Sequence, residues 1–208
     1  MRDSRPARAA GVRQDAAARQ RAIQYLWGLD PPARERQAYL YGILDAARDE
    51  GIYPQLRRLA AREHIVGLYQ GRAAAELAAV APYLVCLGTS DRVFDWIWQR
   101  GWGKSWGIFL WSLVSIETLR AHFRRLTMVQ TAEGKRLLFR FYDPRVLPVF
   151  LPTCDADQLR ELFGPVQWFA VEDTDGGSLT RFRFAAGSLT TRQMTLTDVP
   201  DQTESPSA

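Results

Sequence analysis

The chain has 208 residues, 47% of them apolar and 24% charged, the proportions of a globular protein of one large or two small domains. Those values exclude collagen, low-complexity disorder and an extended coiled coil, and the longest uncharged stretch, Leu77 to Ser90, is broken by Pro82 and too short to span a bilayer. The formal charge of +4 resides in the first 36 residues, which hold eight Arg and four acids, so the remainder is balanced and carries no basic block suited to nucleic acid.

In chain order, residues 1–36 read as a basic Ala/Arg-rich leader, partly disordered or helical, without the apolar core of a secretory signal. Asp30-Pro31-Pro32 breaks the chain before a folded domain over 37–187, and 188–208 reads as a polar C-terminal tail. Tyr39–Leu44 is expected as a strand, Pro54 near a helix start, His64–Tyr69 as extended chain and 72–80 as an Ala-rich helix. Tyr83–Leu87 suits a strand covered on both faces, the usual mark of parallel pairing. Ser90 or Asp91 can cap a helix that carries Val93, Trp96 and Ile97 and stops at Gly101; Ile108–Trp111 is then a strand, and Ser115 caps a helix with Ile116, Leu119, Phe123 and Leu126 on one face.

Period-two alternation predicts a strand over Leu137–Tyr142, followed by Asp143-Pro144 as the start of a helical turn limited by Pro148. Asp155 and Gln158 form a capping box for a helix ending at Phe163-Gly164-Pro165. Val166–Val171 and Leu179–Phe184 flank the turn sequence Asp173-Thr174-Asp175-Gly176-Gly177, a hairpin with Phe182 and Phe184 on one face and Arg181 and Arg183 on a solvated one. The fold class that follows is α/β: a mixed sheet with alternating strands and helices, a largely parallel centre and an antiparallel C-terminal hairpin at the edge, with α+β as the alternative.

Reaction chemistry is hard to assemble. Cys86 and Cys154 are too few and too far apart for a disulfide framework or a zinc site, and read as inert thiols in a reducing compartment. Gly103-Lys104-Ser105-Trp106-Gly107 fits the G-x-S-x-G elbow of serine hydrolases, but a helix enters and a strand leaves, the reverse of that elbow. The same stretch fails as a P-loop, because Trp98 stands where the first glycine is required. Glu172, Asp173 and Asp175 are better explained by a turn than by a calcium loop. No cofactor and no metal site are expected. What remains is aromatic: Trp96, Trp98, Trp102, Trp106 and Trp111 fall within sixteen residues, as core or as the anchors of a protein interface.

Ala81-Pro82-Tyr83-Leu84-Val85, the run Gly101-Trp102-Gly103-Lys104-Ser105-Trp106-Gly107-Ile108-Phe109-Leu110, and Leu138-Phe139-Arg140-Phe141-Tyr142-Asp143-Pro144-Arg145-Val146-Leu147 together resemble the effector adaptor/chaperone family of bacterial type VI secretion (Tap/Tec-type adaptors, formerly a domain of unknown function). Tyr39–Asp45 and Phe163-Gly164-Pro165 fit the same pattern, so the resemblance covers about residues 39–185. It implies a non-enzymatic cytoplasmic protein that binds an effector toxin and helps load it onto the VgrG spike, with residues 37–187 as the adaptor domain. Membrane is excluded as a partner and nucleic acid is not expected; a serine hydrolase using Ser105 is the alternative. Trp102, Trp106, Arg140, Tyr142, Asp143 and Arg145 are the candidate residues, as protein contacts or as structure. Arg140 in an apolar strand requires a carboxylate if covered, from Asp143 or another acid.

Overall fold

The computed structural model describes residues 11–27, 39–87, 91–130, 134 and 136–196. Helix α1 (Ala16–Trp27) precedes strand β1 (Tyr39–Asp45), helix α2 (Ile52–Leu59), the short strand β2 (Ile65–Gly67), helix α3 (Gly71–Glu76) and strand β3 (Pro82–Cys86). Helix α4 (Asp91–Trp96) runs into a π-turn, Ile97–Gly101, and the chain then enters β4 (Gly107–Ser112). Helix α5 (Ile116–Leu126) leads to a two-stranded ribbon of β5 (Met128–Gln130) and β6 (Arg136–Leu138). Helices α6 (Leu147–Phe150) and α7 (Ala156–Phe163) come before the closing meander β7 (Val166–Glu172), β8 (Ser178–Ala185) and β9 (Ser188–Thr195).

Seven strands form one sheet in the order β2-β3-β1-β4-β7-β8-β9. Side chains alternate across it. Leu40 and Leu44 of β1, Tyr83 and Val85 of β3, Phe109 and Trp111 of β4 and Trp168 of β7 face one apolar layer, shared with Ala22 and Leu26 of α1, Leu56 of α2 and Phe94 of α4. Tyr41, Ile43, Leu84, Ile108, Leu110 and Phe169 face the opposite layer, closed by Leu119 and Phe123 of α5 and Leu162 and Phe163 of α7. The sheet is therefore sandwiched between helices.

The α/β class holds, and the C-terminal hairpin stands at one side of the sheet as expected. The centre differs from expectation, because β1 pairs antiparallel with both β3 and β4, and β4 pairs antiparallel with β7. An unbroken apolar strand reports that both faces are covered, which is the reason parallel strands look that way. Here helices cover both faces of antiparallel pairs, so the pattern arises without the direction.

Three further differences lie in the second half of the chain. Residues 188–195, expected as tail, form β9 on β8 from Ser178↔Thr195 to Ala185↔Ser188. Period two over 137–142 predicts one strand, but β6 ends at Leu138, and Phe141 and Tyr142 turn into the core, each nearly fully buried. Pro148 lies in the first turn of α6 and opens that helix instead of limiting one. The expected capping box is present: Asp155 accepts from the Gln158 amide at 2.8 Å, the Gln158 side chain accepts from the Asp155 amide at 2.9 Å, and the helix ends at Gly164. Ser115 accepts from the Thr118 amide at 3.4 Å. The expected break at Asp30-Pro31-Pro32 and the side chains of the cap at Ser90 or Asp91 lie outside the described residues.

The leader contributes to the core. Ala18, Ala22 and Leu26 of α1 are fully buried, and Val12 nearly so. Of the two arginines expected on the solvated hairpin face, Arg183 is exposed and Arg181 lies under this helix: its guanidinium stacks on Tyr25 at 4.3 Å and on Trp168 at 4.4 Å and donates to the Tyr25 carbonyl, while the Tyr25 hydroxyl donates to the Arg192 carbonyl at 2.6 Å. Arg21 Nε donates to the Leu196 carbonyl at 2.8 Å.

Candidate functional site

Two segments that the sequence singles out meet at one acidic residue. Asp45 ends β1; its amide donates to the Trp106 carbonyl at 2.8 Å, and its buried carboxylate accepts from Arg140 Nη2. The same carboxylate caps the 3₁₀ turn Ala46–Arg48 by accepting from the Ala47 amide at 3.1 Å. Arg48 reaches back to the Lys104 carbonyl at 3.4 Å. The end of β1 thus ties the Trp-Gly loop, residues 101–107, to the Arg-Phe-Tyr-Asp-Pro-Arg segment, residues 140–145.

Within the loop both indoles are interior. Trp102 is fully buried; its ring centroid lies 4.5 Å from that of Trp98 and 5.9 Å from that of Phe109, and its Nε1–H donates to the Gly176 carbonyl at 2.9 Å. The Trp102 carbonyl accepts from Arg13 at 2.7 Å, a contact from the leader. Trp106 lies against Trp96, centroids 4.9 Å apart. Two glycines are required by this packing: a Cβ on Gly101 would sit 2.3 Å from the Trp106 ring, and one on Gly107 would sit 1.9 Å from the Ile43 carbonyl oxygen.

Glu172, at the end of β7, holds the loop from the other side. Its buried carboxyl group accepts from the Gly103 amide at 2.8 Å and the Ser105 amide at 3.0 Å. Burial pushes its pKa up to about 8, against the pull of those two amides. Ser105 is buried with a left-handed backbone, φ 56°. His122, the downstream histidine a hydrolase would need, hydrogen-bonds the Leu162 carbonyl at 3.0 Å and packs on Phe123 in the opposite apolar layer. The structure thus commits Ser105 and His122 to different partners on different sides of the sheet.

In the second segment, Asp143 is buried and receives a bidentate fork from Arg145, Nε at 2.9 Å and Nη2 at 2.6 Å, with the Arg145 amide also donating at 2.9 Å. Burial opposes ionisation of Asp143, but the combined Arg145 bonds outweigh it and hold the carboxyl below its usual range. Tyr142 is buried and hydrogen-bonded to Tyr69; burial, with that bond, drives its phenol well above the ordinary value. The Arg140 and Arg145 side chains stay 42% and 47% exposed, so both guanidinium groups reach solvent beside their buried carboxylates.

The site therefore comprises an aromatic interior, a shell of satisfied backbone bonds and two half-exposed guanidinium groups. Those groups can recognise carboxylates or carbonyls of another chain. Among the described residues no group of three or more His, Cys, Asp and Glu side chains is placed to hold a metal ion, and no helix is long and apolar enough to cross a membrane. Sequence reading missed Asp45, Glu172 and Tyr69 as members of this arrangement. Asp45 carried one signal, its place at the end of the Tyr39–Asp45 string. Glu172 carried only its position beside a turn, and Tyr69 none.

Accessory protein VasW of Vibrio cholerae serotype O1 (strain ATCC 39315 / El Tor Inaba N16961) is 29% identical over 119 residues, covering 57% of this chain and 39% of the relative. The chain thus spans about two fifths of the length of the curated relative it matches. No solved structure matches it. The family model described as "Domain of unknown function (DUF4123)" matches residues 40–161, which include Asp45, the Trp-Gly loop and the Arg140–Arg145 segment but neither Glu172 nor α1. Since that match takes in well over half of the sequence, the chain belongs to the DUF4123 family, the type VI secretion adaptor family that its Trp-Gly and Arg-Phe-Tyr-Asp-Pro-Arg strings resemble.

Proposed function

We propose that this protein is a cytoplasmic, non-enzymatic adaptor that binds an effector toxin and helps load it onto the VgrG spike of a type VI secretion system. Family membership carries the proposal, supported by the likeness to an accessory protein. The physical support is the way the two family strings are used. Trp102, Trp106 and Tyr142 are interior and set the frame, while Arg140 and Arg145 present guanidinium groups at its surface. Arginine donors held on a rigid frame suit recognition of a polypeptide, because little side-chain freedom is lost on contact.

The alternative, a serine hydrolase using Ser105, has no observation in its favour beyond the five-residue pattern. Affinity capture of this chain from cells that express a type VI secretion cluster with its spike and toxins tests the adaptor reading: recovery of a toxin is expected, and recovery of this chain alone overturns it. A fluorophosphonate probe tests the alternative, which returns if labelling occurs and is lost in Ser105→Ala.

A further inference from the structure

Six large apolar side chains are exposed among the described residues, and three of them, Leu77, Met128 and Leu138, line a single open groove of about 900 Å³. One wall is α3 and the turn after it, with Ala73 and Leu77; the other is the ribbon of β5 and β6, with Met128 and Leu138; the C-terminal turn of α5 supplies Arg124 and Arg125. No acidic residue lines the groove. Exposed apolar side chains gathered in one concavity, and not scattered, mark an interaction surface.

The charges say what fits. Arg124 donates through Nη2 to the carbonyls of Gly67 at 3.4 Å and Tyr69 at 3.1 Å, while its buried Nε has no partner. Arg120, one turn earlier, likewise keeps an unpartnered buried Nε. Glu117 lies close enough to Arg120 to feel its charge, whereas neither Arg124 nor Arg125 forms an ion pair with a carboxylate among the described residues. Burial first, and Arg120 second, disfavour the charge on Arg124, so an arriving carboxylate would relieve both. Apolar walls with an uncompensated cationic rim are complementary to a segment that is apolar on one side and acidic on its flanks.

We propose that this groove seats an acidic amphipathic segment of the effector polypeptide, with its apolar side chains between Leu77, Met128 and Leu138 and its carboxylates on Arg124 and Arg125. The proposal rests on the adaptor reading and adds to it the surface used and the chemistry of the partner.

The test uses the full chain and two synthetic helical peptides of about 18 residues, with leucines repeating at helical spacing and the flanking positions either glutamate or lysine. In fluorescence anisotropy the glutamate peptide should bind about tenfold or more tightly than the lysine peptide, and less tightly as salt rises. Leu138→Asp and Arg125→Glu, both at exposed positions, should each weaken it about tenfold or more, while Val149→Asp, at an exposed apolar position outside the groove, should leave it unchanged. Equal binding of the two peptides, no binding of either, or binding indifferent to the groove variants overturns the proposal. A toxin that co-purifies with this chain should be displaced by the glutamate peptide; a toxin that stays bound sinks the groove and leaves the adaptor reading intact. If no toxin co-purifies, the adaptor reading fails and the claim of an effector segment fails with it; peptide binding then describes the groove's chemistry alone.

Discussion

Asp45 and Arg140, 95 positions apart, form an ion pair whose carboxylate is buried and whose guanidinium is nearly half exposed. The asymmetry predicts unequal losses. Arg140→Ala strands a buried carboxylate, whereas Asp45→Asn leaves a guanidinium that water can reach and keeps an oxygen to cap Ala47. Arg140→Ala should cost about 1–3 kcal/mol, less than a fully buried pair because one partner is wet, and Asp45→Asn should cost less. Urea denaturation of both variants checks the order; a larger loss in Asp45→Asn contradicts it.

Trp102 fills the centre of the aromatic layer and caps a carbonyl. Trp102→Ala should destabilise by about 3–5 kcal/mol, from the cavity and the orphaned Gly176 oxygen together. Trp102→Phe retains most of the volume and loses the N–H, so its cost should be nearer 1–2 kcal/mol. Thermal melts close to the parent for Trp102→Ala would place the ring outside the core.

Glu172 gives stability a pH dependence of definite sign. Its carboxyl is raised from 4.5 to about 8 in the folded protein, so the folded state holds a proton that the unfolded chain has released. Stability from this group is complete below the unfolded value and declines as pH rises from about 4.5 to about 8. Glu172→Gln cannot ionise and should flatten that decline, while losing one of the two amide bonds because its NH₂ faces a backbone donor. Melting temperatures of both proteins across this range decide it; parallel profiles count against the assignment.

Gly107 has no room for a methyl group, since a Cβ would lie 1.9 Å from the Ile43 oxygen in the β1–β4 ladder. Gly107→Ala should separate these strands and yield insoluble or molten protein, read as lost near-ultraviolet dichroism. A folded, soluble Gly107→Ala with a parental melt refutes this.

Deletion of residues 1–27 should be costly although the segment is polar on average. It uncovers the layer beneath α1 by removing Val12, Ala22 and Leu26, and it takes away Arg13 from the Trp102 carbonyl. Two large apolar side chains alone are worth about 3 kcal/mol or more. Denaturant unfolding should show the loss, and an unchanged midpoint would mean that the helix only rests on the domain.

Much of this protein was written locally in its sequence. The capping box at Asp155 and Gln158, the cap at Ser115, the short apolar runs of β1 and β4 and the turn between β7 and β8 depend on residues a few positions apart, and local rules recover them. The strings that carry the family resemblance could be read too, since they are contiguous. What folding in three dimensions decided was pairing: that buried strands run antiparallel, that α1 covers Arg181, that Arg140 selects Asp45 over the nearer Asp143, and that Glu172 holds the Trp-Gly loop. A charge or an amide is satisfied by whichever group the whole fold brings within bonding distance, and no local pattern encodes that choice.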